Sequence, residues 1–142
     1  MSDIFSSQKR SEIMSNISSK DTKPEILVRK FLFANGFRFR KNDKLLPGKP
    51  DIVLPKYNTI IFVNGCFWHG HENCKKSKLP VTRREFWKDK ISNNINRDSV
   101  NYLELEKIGW KIIIIWDCEL NTKHKKEITY NKLLSTLKSE DL

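Results

Sequence analysis

The stretch Asn64-Gly65-Cys66-Phe67-Trp68-His69-Gly70-His71-Glu72-Asn73-Cys74 places two cysteines, two histidines and two large aromatic residues within eleven positions. It follows directly on Thr59-Ile60-Ile61-Phe62-Val63, an apolar run of strand length. Sulfur and imidazole donors at this density point to a metal ion. Phe67 and Trp68 between them point to something flat to stack on. Lys and Arg outnumber Asp and Glu by 27 to 17, a net charge of +10, so the flat partner that fits is a nucleic acid, held partly through counterion release. On charge alone, the competing reading is a basic face solvated by water.

A chain of 142 residues is expected to form one domain spanning 1–142, with a core large enough to need no disulfide staples. The N-terminal MSDIFSSQKRSEIM has no apolar core of a signal peptide. The longest apolar run, Ile112 to Trp116, is too short to cross a bilayer. With three cysteines, these features predict a reducing, cytoplasmic setting without membrane or disulfide framework.

The spacing predicts a short polar helix over 8–19 carrying Ile13, Met14 and Ile17. Asp21 or Thr22 can cap a second helix that has Pro24 and Glu25 in its first turn. Ile26, Leu27, Phe31, Leu32 and Phe33 form its expected core face, and Gly36 ends it. Phe37 to Arg40 reads as a strand. Asp51 to Leu54, the turn 55–58 and Thr59 to Val63 read as a hairpin. Helical spacing covers 83–108, Gly109 stops it, Lys111 to Trp116 reads as a fully buried strand, and 124–138 closes with a helix. This order predicts an α/β fold, a mixed central sheet flanked by helices.

Topology then gathers distant residues. The strand 59–63, the helix 83–108 and the strand 111–116 form a crossover, so the two strands should run parallel. In the hairpin, Asp51 should sit across from Phe62 or Val63. Asp51, Asn64, His69 and Cys118 are therefore expected along one edge of the sheet.

Cys66, His71, Cys74 and Cys118 supply three thiolates and one imidazole, a closed tetrahedral set suited to a structural zinc. The alternative for Cys118 is a small buried apolar residue. Asp51, opening a strand after Pro50, together with Glu25 on an earlier helix, fits a carboxylate site for Mg²⁺ and a phosphodiester. The bland readings are a turn-capping Asp51 and a Glu25 that merely suits its helix dipole. The acid–lysine pair usual at 63–65 in such nucleases is missing, which leaves His69 as the candidate base. Phe67 and Trp68, with Trp87 beside Arg83 and Arg84, suit stacking or wedging into DNA. Of the neighbours Phe86 and Trp87, one is expected to face outward, and Trp110 and Trp116 are expected in the core.

These residues resemble the very-short-patch repair (Vsr-type) DNA mismatch endonucleases of bacteria. The likeness runs from about Lys9 to Leu120 through Lys20-Asp21-Thr22-Lys23-Pro24-Glu25, Leu46-Pro47-Gly48-Lys49-Pro50-Asp51, the segment Phe62 to His71, Glu85-Phe86-Trp87 and Trp116-Asp117-Cys118. It implies a restriction-endonuclease-like core, an N-terminal DNA-contacting arm at 1–19 and a C-terminal helix at 124–142. It implies a monomer with a structural zinc and an Mg²⁺-dependent nick 5′ to the thymine of a T·G pair in double-stranded DNA. By position, Asp51 and the Val63 carbonyl would hold Mg²⁺, His69 would act as general base and Glu25 would support it. Phe67, Trp68 and Trp87 would enter from the major groove and Met14 from the minor-groove side. Mismatch-repair proteins and a cytosine-5 methyltransferase are implied partners, and the nucleoid the implied location.

The family pattern has Thr and His where this chain has Val63 and Asn64. Val can supply the same main-chain carbonyl, whereas Asn can donate a hydrogen bond but cannot carry a proton. Activity is therefore expected to survive with an altered rate or pH dependence. Two alternatives follow: a zinc-stabilised DNA-binding module without catalysis, and a nuclease of this fold with a restriction or defence target.

Overall fold

The computed structural model describes residues 22–139, so the helix expected over 8–19, with Met14, lies outside the described residues. Helix α1 (Lys23–Ala34) begins where Thr22 turns extended and its hydroxyl accepts the Glu25 amide, with Pro24 in the first turn. Gly36, just past its end, takes φ +84°. Its buried stripe is Glu25, Val28 and Leu32, spaced three and four apart as one helix face requires. Of the expected core face, Leu32 is buried and Leu27 and Phe31 pack against it, but Phe33 is 65% exposed and Ile26 also points outward.

Four strands form one sheet in the order β1-β2-β3-β4, where β1 is Arg40–Lys41, β2 Ile52–Leu54, β3 Thr59–Asn64 and β4 Lys111–Trp116. The strand expected over 37–40 is therefore displaced and short, and Phe37 is buried ahead of it. β2 and β3 form the expected hairpin, with Ile52 opposite Ile61 and Leu54 opposite Thr59. Asn58 closes the turn at φ 51°, a left-handed conformation that Asn tolerates well. β3 and β4 run parallel, from Thr59 beside Lys111 to Asn64 beside Trp116.

All six residues of β3 are buried, as a central strand covered on both faces requires. Ile52, Leu54, Ile61, Val63 and Ile115 pack with Val28 and Leu32 of α1 and with Leu133 and Leu137 of α3 (Lys123–Ser139). Val53, Ile60 and Phe62 pack on the other face with Leu105 and Tyr102 of α2 (Arg84–Lys107). β4 corrects another expectation: only Ile115 is buried in it, because among the described residues it is an edge strand with no partner on its far side. Trp110 and Trp116, expected in the core, are half-buried for the same reason. No helix among the described residues is long and apolar enough to cross a membrane.

Candidate active site and metal centre

Asp51 stands one residue ahead of β2, so the antiparallel register places it beside the end of β3. Its Oδ2 accepts the Val63 N–H at 2.7 Å. Glu25, only 3% exposed, brings a second carboxylate to the same place from α1. Burial first, and then the charge of Glu25, push the Asp51 carboxyl up to about 7, while the Val63 amide and Arg29 act in the opposite direction. Arg29 Nη1 lies 3.5 Å from Glu25 Oε2. Two carboxylates brought this close together suit a divalent cation between them.

The loop after β3 turns sharply enough for the His69 amide to reach the Gly65 carbonyl at 3.1 Å. His69 Nδ1 meets Asp98 Oδ2 of α2 at 2.6 Å. A carboxylate on Nδ1 holds the proton there and leaves Nε2 as the basic nitrogen. The resemblance implies that Glu25 supports His69; the carboxylate on His69 Nδ1 is Asp98, while Glu25 adds its charge beside Asp51 and pairs with Arg29. The reason is packing: α2 is the helix that lies along this loop. One turn before Asp98, Asn94 Nδ2 donates to the Trp68 carbonyl at 2.9 Å. Gly70, at φ +60°, presses so closely on Ile91 and Ile95 that an added Cβ would lie 2.5 Å from Ile95 Cδ1.

Asn64, 3% exposed, donates from Nδ2 to the Tyr102 hydroxyl at 3.0 Å. Glu25, Asp51, Asn64, His69, Asp98 and Tyr102 all line one cleft of about 830 Å³, with Lys49 and Lys76 also on its wall. Asp51 and His69 thus share a cavity, as the topology predicted. Sequence reading missed Asn94, Asp98 and Tyr102. Their signal was polar side chains four residues apart on the helical stretch 83–108, which reads equally as a solvated face.

The second half of the loop gathers Cys66, His71, Cys74 and Cys118, whose donor atoms all lie within 4.8 Å of one another. Local bonds shape it: the His71 amide reaches the Cys66 carbonyl at 2.9 Å, and Ser77 Oγ donates to the His71 and Cys74 carbonyls. Cys118 comes from the short helical turn Asp117–Leu120 after β4, as parallel pairing with β3 requires. Cys118 Sγ is 3.5 Å from His71 Nδ1, close to the edge of a tetrahedron with metal–sulfur and metal–nitrogen bonds of ~2.3 and ~2.1 Å. The His71 ring stacks on Trp116 with centroids 4.1 Å apart. Burial, and then the Asp117 carboxylate that accepts from Sγ at 2.8 Å, push the Cys66 thiol well up. Four such donors could hold a metal ion, and the chemistry of the set is that of a structural site with no open position.

Phe67, Trp68 and Trp87 pack edge-to-face on one another, with centroids 5.4 to 5.7 Å apart. They are half-buried rather than freely exposed, because each ring shields the next. Phe86 is the outward member of its pair at 45% exposure, with the Arg83 guanidinium 4.3 Å above its ring. Arg83 and Arg84 are exposed beside this cluster.

The sequence model of the family described as DNA mismatch endonuclease Vsr matches residues 2–76. The chain is 54% identical over 138 residues to the type II nicking enzyme V.NmeAIP of Neisseria meningitidis, covering 97% of this chain and 98% of that one. It is 43% identical to the type II nicking enzyme V.XorIIP of Xanthomonas oryzae, over 85% of this chain and 88% of that one. It is 40% identical to the DNA mismatch endonuclease Vsr of Escherichia coli, over 88% of this chain and 80% of that one. On this match and this shared length, the chain belongs to the Vsr family of DNA mismatch endonucleases.

Proposed function

We propose that this strand-nicking DNA endonuclease cuts 5′ to the thymine of a T·G mismatch, starting very short patch repair of deaminated 5-methylcytosine. The observation that carries the reading is the shared cleft: the Asp51 carboxylate and the His69–Asp98 pair line it together. Asp51 and the Val63 carbonyl would hold Mg²⁺, with Glu25 adding negative charge nearby. That ion, when bound, supplies positive charge against the scissile phosphate and the leaving oxygen. His69 Nε2 takes the proton of the attacking water, and Asp98 holds the ring and stabilises the imidazolium.

Cys66, His71, Cys74 and Cys118 hold zinc in this reading, since three thiolates and an imidazole match its structural sites. Zinc ties down the loop that carries Phe67, Trp68 and His69, so the wedge and the base move as one unit. The three rings enter from the major groove, Met14 from the other side, and Arg83 and Arg84 contact phosphates. We read 1–142 as one domain with a restriction-endonuclease-like core, acting as a monomer in the bacterial cytoplasm. A cytosine-5 methyltransferase and mismatch-repair proteins complete the pathway.

The test is a nicking assay with Mg²⁺ on strand-labelled duplexes carrying T·G or T·A at the same position. The expected result is a cut in the thymine strand only, on the mismatched duplex. Equal cutting of matched DNA would favour the second reading, a nuclease of this fold with a different target; the relatives named simply as nicking enzymes motivate it. Binding without any cut would overturn both.

A further inference from the structure

The Asn64–Tyr102 bond has chemistry that the proposed mechanism leaves unused. Asn64 is a buried polar residue on the last position of the central strand, next to Val63, whose amide holds Asp51. Its amide nitrogen donates to the Tyr102 oxygen at 3.0 Å. The phenol oxygen is therefore an acceptor in that bond, and its own hydrogen stays free to donate elsewhere. Tyr102 lies one turn beyond Asp98 on α2 and lines the same cleft as Asp51 and His69. Its ring is wedged against Phe62 at 4.9 Å, so the hydroxyl has a fixed direction.

A phosphodiester in this cleft meets an unusual wall. Glu25, Asp51, Asp98 and Asp117 all line it, and each repels the charge that grows on the non-bridging oxygens during attack. Lys23, Lys49 and Lys76 also line the cleft; a neutral donor adds to them by stabilising those oxygens without neutralising the carboxylates. Tyr102 is of that kind: burial foremost, with the Asn64 bond acting against it and the Asp98 and Asp51 charges adding to it, pushes its hydroxyl up to about 12, so it keeps its proton throughout the working range.

We propose that Tyr102 is a catalytic residue, its hydroxyl oriented by Asn64 to donate to a non-bridging oxygen of the scissile phosphate. The proposal rests on the nuclease reading above. It gives Asn64 a role that needs no proton of its own: the amide aims the phenol.

The experiment is single-turnover nicking of the T·G duplex with Mg²⁺ by the full chain, comparing wild type, Tyr102→Phe, Asn64→Ala and the double variant. Duplex affinity is measured in Ca²⁺. Tyr102→Phe keeps the ring against Phe62 and removes only the donor. It should slow the cut on the order of 10- to 100-fold with affinity unchanged and the pH profile keeping its shape. Tyr102→Leu, which keeps the apolar contact, gives the same readout should the Phe variant prove unstable. In the Asn64→Ala background, losing the hydroxyl should still cost several-fold, because it touches the phosphate itself. An unchanged rate in Tyr102→Phe overturns the proposal. So does a loss of rate matched by an equal loss of duplex affinity, since the tyrosine would then hold the duplex rather than act on the cut. Wild type that never nicks would instead overturn the nuclease reading.

Discussion

Replacing the carboxylate at the centre of the cleft should make the protein more stable while ending its activity. Asp51 carries a carboxyl raised from 3.8 to about 7, first by burial and then by the neighbouring charge of Glu25. The folded-state value lies above the unfolded one, so ionised Asp51 opposes folding. The penalty is absent below about pH 4, grows as pH rises between 4 and 7, and is complete above 7. A rise from 3.8 to about 7, at ~1.4 kcal/mol per tenfold change in acidity, sets a ceiling of about 4 kcal/mol. Asp51→Asn keeps an oxygen for the Val63 amide but buries its own amide group, so roughly half that ceiling is expected to remain. For a chain of this size, about 2 kcal/mol raises Tm by roughly 4–8 °C. The assay is thermal unfolding in Mg²⁺-free, chelator-free buffer at pH 4.5 and pH 8. The variant should melt higher at pH 8 and somewhat lower than wild type at pH 4.5, where only about 1 kcal/mol of the penalty is left to offset the pH-independent cost of the buried amide. Adding Mg²⁺ should raise wild type only, since a ligand stabilises the state that binds it. A variant that melts lower than wild type at pH 8 would refute the charge-crowding account.

Three further outcomes follow from the same geometry. His69→Ala should lose on the order of 10²- to 10⁴-fold in nicking rate with duplex affinity retained, and Asp98→Asn should lose at least tenfold by favouring the wrong tautomer; unimpaired cutting by either would remove the pair from the mechanism. Gly70→Ala puts a methyl against Ile95 and Ile91 at φ +60° and should cost about 1–3 kcal/mol in chemical unfolding; Ile95→Ala should recover only the steric part, and an undiminished Gly70→Ala would contradict the packing. Elemental analysis should find one zinc per chain, and Cys74→Ser or chelation should abolish both the metal and the mismatch-dependent cut; a fully active zinc-free protein would sink the structural-metal assignment.

The site was legible where a residue's place follows from chain topology, and obscure where it follows from helix packing. Asp51 beside Val63 needs only a hairpin with its register, and Cys118 beside Cys66 needs only a parallel crossover; both could be read from strand order. The edge character of β4 could not, because Ile112 to Trp116 reads as apolar whether or not another strand lies beyond it. Asp98 and Tyr102 were hidden for a related reason. Polar side chains four apart on a helix normally mean water, and only the rotation of α2 about its axis decides that this stripe faces the loop instead. That rotation is set by Ile91 and Ile95 seated on Gly70 and by Leu105 buried under the sheet. The same helix ties His69 to the aromatic cluster: Asn94 fixes the Trp68 carbonyl and Asp98 fixes His69 one turn later. Trp68 and His69 are consecutive residues on a loop pinned at both to one helix. On the proposed function, a displacement of the rings by DNA would be taken up by α2 or passed to His69, a physical route from a sensed mispair to the cut beside it.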